Sequence, residues 1–284
     1  MAAQAELAPG LYLVATPIGN LEDITPRAIR VLKLADLIAC EDTRQTQKLL
    51  NHYEFQKPTV SYHEHNEASR AAELIERLTQ GARIAMVSDA GTPGVSDPGF
   101  RLVSLAIERG IPVVPIPGPA AFVSALVASG LPLEPFSFRG FLPPKSGARR
   151  RMLEIIRSSQ ATEIFYDAPH RITETLGDAV AVLGANRRVV VARELTKLHE
   201  EFLRGTAAGV LEIVKSRREV KGEIVLLIGP ASGSEAEAPA ISIRERVDQL
   251  MREEKLDEKA ALKKVAKERG ISKSEAYREL QLRK

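Results

Sequence analysis

The sequence predicts an α/β protein made of two α/β domains, the first on a mainly parallel sheet and the second on a mixed one, with a small helical module after them. Three observations carry that expectation. Short apolar runs alternate with amphipathic stretches through the first 130 residues, the pattern of a parallel sheet covered by helices on both faces. Beyond Gly130-Leu131-Pro132 the strand patterns have fewer helices between them, as in a mixed sheet. From Ala231 to Pro239 the chain turns to Ser, Gly, Ala and Glu, which reads as a flexible linker before a charged tail. The expected boundaries are therefore 1–130, 131–230, a linker over 231–240, and a helix-turn-helix-like module over 241–284.

Taken in order, Leu11 to Thr16 is a strand pattern running into the turn Pro17-Ile18-Gly19-Asn20. Thr25 and Pro26 supply an N-cap and a first-turn proline for a helix through Leu34. A second apolar run, Asp36 to Glu41, leads through Asp42-Thr43-Arg44 into another helix. Thr59 to His63 is a short strand, and Asn66 is placed to cap a helix burying Ala71, Leu74, Ile75 and Leu78. Ile84 to Val87 reads as a buried strand feeding a long turn, Ser88 to Gly99, before a helix from Phe100 to Ile107. Ile111 to Ile116 is the next strand, ending in Pro117-Gly118-Pro119-Ala120 ahead of a helix through Ala128. In the second half a strand over Phe136 to Phe141 precedes a basic helix start carrying Arg149, Arg150 and Arg151. Further strands are expected at 163–168, 188–194, 200–204 and 223–229, with helices at 170–183 and 206–216. In the tail, Ser242 with Glu245 and Ser272 with Glu275 fit capping boxes, Asp257 caps the middle of three helices and Gly270 stops it.

Composition narrows the function. The 284 residues carry a net charge of only +3, yet from Ile241 onward 13 Lys and Arg face 9 Asp and Glu, a net of +4. A basic tail on a near-neutral body suits a polyanionic partner. The single cysteine, Cys40, lies in an apolar run and reads as a buried thiol in a reducing compartment. The start has no signal-peptide pattern and no apolar run is long enough to span a bilayer, so a cytoplasmic protein is expected. Neither a G-x-x-x-x-G-K-[ST] phosphate loop nor a G-x-G-x-x-G fingerprint is present, which removes the main support for a kinase or a nicotinamide dehydrogenase. His63-Glu64-His65 has neither a cysteine cluster nor H-E-x-x-H spacing, and no metal is expected.

Three strand-to-helix junctions, 16–20, 88–99 and 117–121, carry unusual turns. In a parallel sheet such junctions share one edge, the place where open α/β folds bind ligands. Glycine and proline there let backbone amides come close to a ligand while the turn stays stiff. Asp89 and Asp97 add acceptors for an ammonium group or for sugar hydroxyls.

The same residues resemble the tetrapyrrole-methylase superfamily of S-adenosylmethionine-dependent methyltransferases, and within it the bacterial 16S ribosomal RNA cytidine 2′-O-methyltransferases. The resemblance rests on Ala15-Thr16-Pro17-Ile18-Gly19-Asn20-Leu21-Glu22-Asp23, Cys40-Glu41-Asp42-Thr43-Arg44, His63-Glu64-His65-Asn66, the 88–99 turn and Pro115-Ile116-Pro117-Gly118-Pro119. It continues through Ala168-Pro169-His170-Arg171, Arg193-Glu194-Leu195-Thr196-Lys197 and Lys221-Gly222-Glu223, and so spans residues 11 to about 230. Where tetrapyrrole methylases commonly have a G-x-G-x-G-D turn, this chain has Thr-Pro-Ile-Gly-Asn, which favours the RNA branch over a porphyrinoid substrate.

The resemblance implies two α/β domains with S-adenosyl-L-methionine in the cleft between them, a homodimer, no metal, and 16S rRNA of the small ribosomal subunit as partner. It implies cofactor contacts from Pro17, Gly19, Ser88, Asp89, Ala90, Gly91, Thr92, Pro93, Asp97, Pro117, Gly118, Ala120 and Ala121, with Tyr166 and Ile224 near the adenosine end. A ribose hydroxyl is a poor nucleophile, so a base or nearby cations would help the transfer. Asp42, Glu194 and His170 are the candidate bases, and Arg44, Arg171 and Lys197 the candidate electrostatic helpers or phosphate clamps. Each has a structural alternative: Asp42 as a helix cap, Glu194 paired with Arg193 or Lys197, the arginines as surface ion pairs. Two other functions stay open on the residues: a tetrapyrrole or diphthamide-pathway methylase, and a non-enzymatic RNA-binding protein using 149–151 and the tail.

Overall fold

The alternation of apolar runs with helices becomes a five-stranded sheet in which every pair is parallel. Strands β1 (Gly10–Val14), β2 (Leu37–Cys40), β3 (Thr59–Ser61), β4 (Arg83–Val87) and β5 (Val113–Ile116) lie in the order β3-β2-β4-β1-β5. The computed structural model describes residues 6–231, 243–253, 256–269 and 276–277. Within it Met1–Pro230 form one unit and the residues from Ala231 on form another.

Side chains alternate across each strand, so the first sheet buries two faces. Tyr12, Val14, Ile38, Cys40, Ala85 and Val87 meet helices α1 (Pro26–Leu34) and α2 (Thr43–His52) on one side. On the other, Leu11, Ala39, Ile84 and Met86 meet α3 (Glu67–Thr79) and α4 (Phe100–Glu108). Helix starts follow the sequence signals. Thr25 Oγ1 accepts from the Ala28 N–H at 3.1 Å, and the Asp42 carboxylate accepts from the Arg44 N–H at 2.8 Å. Asn66 is a correction. It occupies the N-cap of α3, but its side chain turns back to accept from the His63 N–H and donate to the Ser61 carbonyl, so it fastens the end of β3 and leaves the helix uncapped by a side chain.

The remaining elements of this unit are α5 (Ala121–Val127), β6 (Phe136–Phe141), α6 (Ser146–Ile155), β7 (Thr162–Asp167), α7 (Ile172–Leu183), β8 (Arg188–Arg193), β9 (Glu201–Thr206), α8 (Ala207–Lys215) and β10 (Ile224–Ile228). Their strands form a mixed sheet in the order β6-β7-β10-β8-β9, parallel only between β6 and β7. Phe165, Val189, Val191, Leu226 and Ile228 are covered by α6, α7 and α8. The opposite face, with Ile164, Val190, Ala192, Val225 and Leu227, receives Ala125 and Leu126 of α5 and Ile18 from the turn after β1. The last helix before residue 130 is therefore part of the second sheet's core.

Arg149 is a second correction. Part of the basic helix start that the non-enzymatic alternative would use to contact RNA, it is 1% exposed. Its Nε donates to Asp178 of α7 at 2.8 Å and its Nη1 to the Pro144 carbonyl at 3.2 Å. A buried guanidinium needs such partners, and its role is to join α6 to α7.

In the second unit, α9 (Ile243–Glu253) and α10 (Glu258–Arg269) bury Val247, Leu250, Ala261, Leu262, Val265 and Ala266 together with Ala276. Asp257 caps α10, accepting from the Ala260 N–H at 2.6 Å. The capping boxes begun by Ser242 and Ser272, the stop at Gly270 and the linker beyond Ala231 lie outside the described residues, as does all of the third expected helix but Ala276 and Tyr277. Among the described residues no helix is long and apolar enough to cross a membrane.

Candidate active site

Because β1, β4 and β5 are parallel, their following turns leave the sheet at the same edge, and hydrogen bonds tie the three together. The Thr16 N–H donates to Gly91 O at 2.9 Å and the Gly91 N–H returns to Thr16 O at 3.0 Å. Thr16 Oγ1 also donates to the Ser88 carbonyl at 3.1 Å, and Thr92 Oγ1 donates to the Pro119 carbonyl at 3.2 Å. Two glycines are required at this rim. Gly91 has φ +85°, and a Cβ on Gly118 would stand 2.8 Å from that of Ala15.

The second sheet offers one edge to this rim. In the antiparallel register Ile224 lies beside both Asp167 and Arg193, and Val225 beside Tyr166, so the end of β7, the start of β10 and the residues after β8 meet there. The turn after β8 reaches the first sheet, since Thr196 Oγ1 accepts from the Asn20 N–H at 3.1 Å.

A cavity of ≈ 270 Å³ lies between the two edges. Its size is just under the lower end of the roughly 300–1,000 Å³ typical of ligand pockets. Asp89 to Thr92 and Ala120 to Phe122 form one side, and Tyr166, Ile224, Val225 and Leu195 the other. Phe122 stacks on Phe138, and Phe138 and the exposed Phe141 both meet Tyr166 edge-on, giving the cavity an aromatic wall. Its acidic end holds Asp97, whose pKa burial and the charges of Glu41 and Asp89 raise to about 6, against one opposing hydrogen bond from Ser88. A carboxyl destabilised as an anion in this way is suited to a cationic ligand.

Nine of the fifteen cofactor positions expected from sequence line this cavity: Asp89, Ala90, Gly91, Thr92, Asp97, Ala120, Ala121, Tyr166 and Ile224. Pro17, Gly19 and Ser88 line instead a neighbouring groove of ≈ 330 Å³ against α2, which shares Asp89 with the cavity. Pro93, Pro117 and Gly118 line neither, and contribute through the shape of their turns. Ile18, Ser96, Phe122, Phe141, Leu195 and Glu223 also line the cavity and were missed. Ile18 and Ser96 lie inside turns already singled out. Phe141 and Glu223 are brought in only by the second sheet's pairing, which has no local signal.

Residues 10–210 match the profile of the family described as Tetrapyrrole (Corrin/Porphyrin) Methylases. The chain belongs to the tetrapyrrole methylase family. Within that family it is similar to proteins named Ribosomal RNA small subunit methyltransferase I. The one from Halalkalibacterium halodurans is 51% identical over 278 residues, covering 94% of this chain and 93% of the relative. That from Escherichia coli O157:H7 is 45% identical over 269 residues, covering 94% and 93%. Among solved structures, diphthine synthase matches with TM-score 0.60 at 16% identity, over 80% of this chain and 93% of that one. The methyltransferase CobJ matches with TM-score 0.58 at 19% identity, over 78% and 94%. At those identities the likeness is one of fold.

The catalytic candidates of this tetrapyrrole methylase separate on geometry. Lys197 Nζ lies 2.9 Å from Glu194 Oε1 and 3.2 Å from Glu223 Oε2, and Glu223 lines the cavity. Burial works against the charge on Lys197, but its bonds to Glu194 and Glu223 outweigh it and hold its pKa above the ordinary lysine value. The Lys197 hydrogen bond, helped by the Glu223 N–H, holds Glu194 below the ordinary carboxylate value, which makes it an anchor and a weak base. Glu194 thus pairs with Lys197, while Arg193 pairs with Glu201 at 3.2 Å.

Asp42 is a weak base as well. The hydrogen bonds from the Arg44 side chain and N–H hold it at about 2, so it works as a cap on α2. Arg44 itself is 85% exposed. Arg171 is paired with the buried Asp167 and donates to the Leu142 carbonyl at 3.0 Å, which fastens the end of β7; the ion pair given as its structural alternative is present, but buried instead of at the surface. His170 is exposed beside it.

Proposed function

We propose that this methylase transfers a methyl group from S-adenosyl-L-methionine to the 2′-hydroxyl of a cytidine ribose in 16S rRNA, within the small ribosomal subunit. The observation carrying the reading is the cavity between the two sheets, where an aromatic and apolar wall faces a carboxyl poised to meet a cation. That suits a molecule with an adenosine end and a sulfonium and ammonium end. When bound it supplies an electrophilic methyl group whose leaving group is a neutral thioether.

Tyr166 and Ile224 would border its adenosine end, the backbone of residues 89–92 with Ala120 and Ala121 would hold its amino-acid end, and Asp97 would balance its positive charge. Alignment of acceptor and methyl accounts for much of such a catalysis. Lys197, held by Glu194 and Glu223 at the border of the cavity, stabilises negative charge developing on the acceptor oxygen. Arg44 and His170, both exposed, remain for contact with RNA.

The reading extends to a cytoplasmic homodimer that needs no metal. Residues 1–130 and 131–230 act as its two α/β domains, 231–240 as the linker, and 241–284 as the module that engages RNA. The relatives' printed names and the basic tail support the substrate. Mass spectrometry of 16S rRNA from cells lacking the protein tests it. One cytidine should lose its ribose methyl and regain it when purified small subunits are incubated with the protein and S-adenosylmethionine. Unchanged ribose methylation in the deletion strain would refute it.

A further inference from the structure

The turns that line the cavity with one residue line the adjoining groove with the next. Ile18 borders the cavity, whereas Pro17 and Gly19 border the groove, and Asp89 borders both. From this we infer that the groove holds the acceptor ribonucleotide and that Asp89 receives the proton of its hydroxyl. The inference rests on the proposed methyl transfer and assigns the acceptor side of that reaction.

The groove has the chemistry for a nucleotide. Pro17, Leu21 and Leu49 offer apolar contact to a sugar or base, Gln45 offers an amide, and the exposed Lys48 offers a cation to a phosphodiester. Its volume of ≈ 330 Å³ is comparable with that of the cavity. In-line displacement requires the acceptor oxygen about 3–3.5 Å from the methyl carbon, on the side away from sulfur. The acceptor must therefore enter next to the donor's hollow, and the groove shares Asp89 with that hollow.

Asp89 is held for this task. Its Oδ1 accepts from the Asp42 N–H at 3.0 Å, which fixes the carboxylate, while Oδ2 has no hydrogen-bond partner among the described residues. The other two carboxylates considered as bases are held low by their cations, Asp42 by Arg44 and Glu194 by Lys197. As the hydroxyl oxygen bonds to the methyl carbon, the carbon–sulfur bond breaks with its electron pair staying on sulfur. The hydroxyl proton passes to Asp89 Oδ2 and from there to solvent.

Three variants test this in the full-length protein: Asp89→Asn, which keeps the Oδ1 acceptor but cannot take the proton, and Lys48→Ala and Gln45→Ala in the groove. General bases contribute about 10²–10⁴ in rate. Asp89→Asn should lower kcat on purified small subunits at least about a hundredfold. Calorimetric affinity for S-adenosylmethionine should change less than about fivefold, a loss of under ~1 kcal/mol. Lys48→Ala and Gln45→Ala should raise the KM for subunits several-fold and leave S-adenosylmethionine affinity unchanged. An Asp89→Asn variant with near-normal kcat, or one losing donor affinity in step with rate, overturns the assignment. Groove variants with unchanged KM overturn the acceptor site. Absence of ribose methylation by the wild-type protein would overturn the underlying reading as well, so the two failures are distinguishable.

Discussion

Thr16 and Gly91, 75 residues apart, exchange both backbone hydrogen bonds at 2.9 and 3.0 Å as an isolated antiparallel bridge at the edge of a parallel sheet. The bridge fastens the turn after β1 to the turn after β4, and the Thr16 hydroxyl adds a bond to the Ser88 carbonyl. The rim of the cavity is therefore held by main-chain pairing, reinforced by the Thr16 and Thr92 hydroxyls.

Thr16→Val keeps the shape and removes the hydroxyl, leaving the Ser88 carbonyl without that donor. A loss of about 1–2 kcal/mol in stability is expected, with a several-fold weaker affinity for S-adenosylmethionine. Chemical denaturation and calorimetry on the same preparation check both.

Asp97 gives the site a pH dependence. Its folded pKa is raised from 3.8 to about 6, so the stability it contributes is complete below its unfolded value and lost as pH rises through about 6. From pH 5 to pH 8, Asp97→Asn should gain on the wild type by on the order of 1 kcal/mol, after discounting for the solvent the carboxyl still meets. A cationic ligand pulls the other way, favouring the ionised form. Wild-type affinity for S-adenosylmethionine should therefore rise between pH 5 and 7, and in Asp97→Asn it should stay flat. Melting curves and titrations across that range read the two effects separately.

Gly222→Ala strikes the Lys197 anchor. The new Cβ would stand 2.3 Å from Glu194 Cδ at a φ of +91°, so Glu194 must leave and release Lys197. The strain costs about 1–3 kcal/mol. Ribose methylation of small subunits should fall at least tenfold in protein that still unfolds cooperatively, measured by single-turnover assay beside thermal denaturation.

Arg149→Ala separates structure from recognition. It removes the buried partner of Asp178, and breaking such a pair costs roughly 3–5 kcal/mol. At a temperature where the variant remains folded, its affinity for small subunits should equal that of the wild type. A filter-binding assay on both proteins at that temperature, beside their melting curves, decides it.

What could be read from the chain was what local pattern encodes. Strand order within the first sheet has no local signal, but parallel pairing and one shared edge follow from alternation, and the Thr25-Pro26 start of α1 follows from capping chemistry. The three turns could be named because Gly and Pro mark them locally. Arg149 could not be read correctly, since the partner that buries it, Asp178, is 29 residues on and on another helix. Phe141 and Glu223 escaped for the same reason, being placed by pairing within the second sheet. Asn66 shows the limit at short range. A capping residue beside a strand end can satisfy the strand instead of the helix.

The cavity between the two sheets is the proposed seat of the methyl donor. Isothermal titration of S-adenosylmethionine into the wild-type protein and into Ala90→Trp tests it, because Ala90 is exposed at the cavity wall and can be enlarged without disturbing a core. Saturable binding in the wild type, abolished or weakened at least about tenfold (~1.4 kcal/mol) in a variant of unchanged melting temperature, is the predicted result. Equal affinity in the two proteins, or no binding by the wild type, would contradict it.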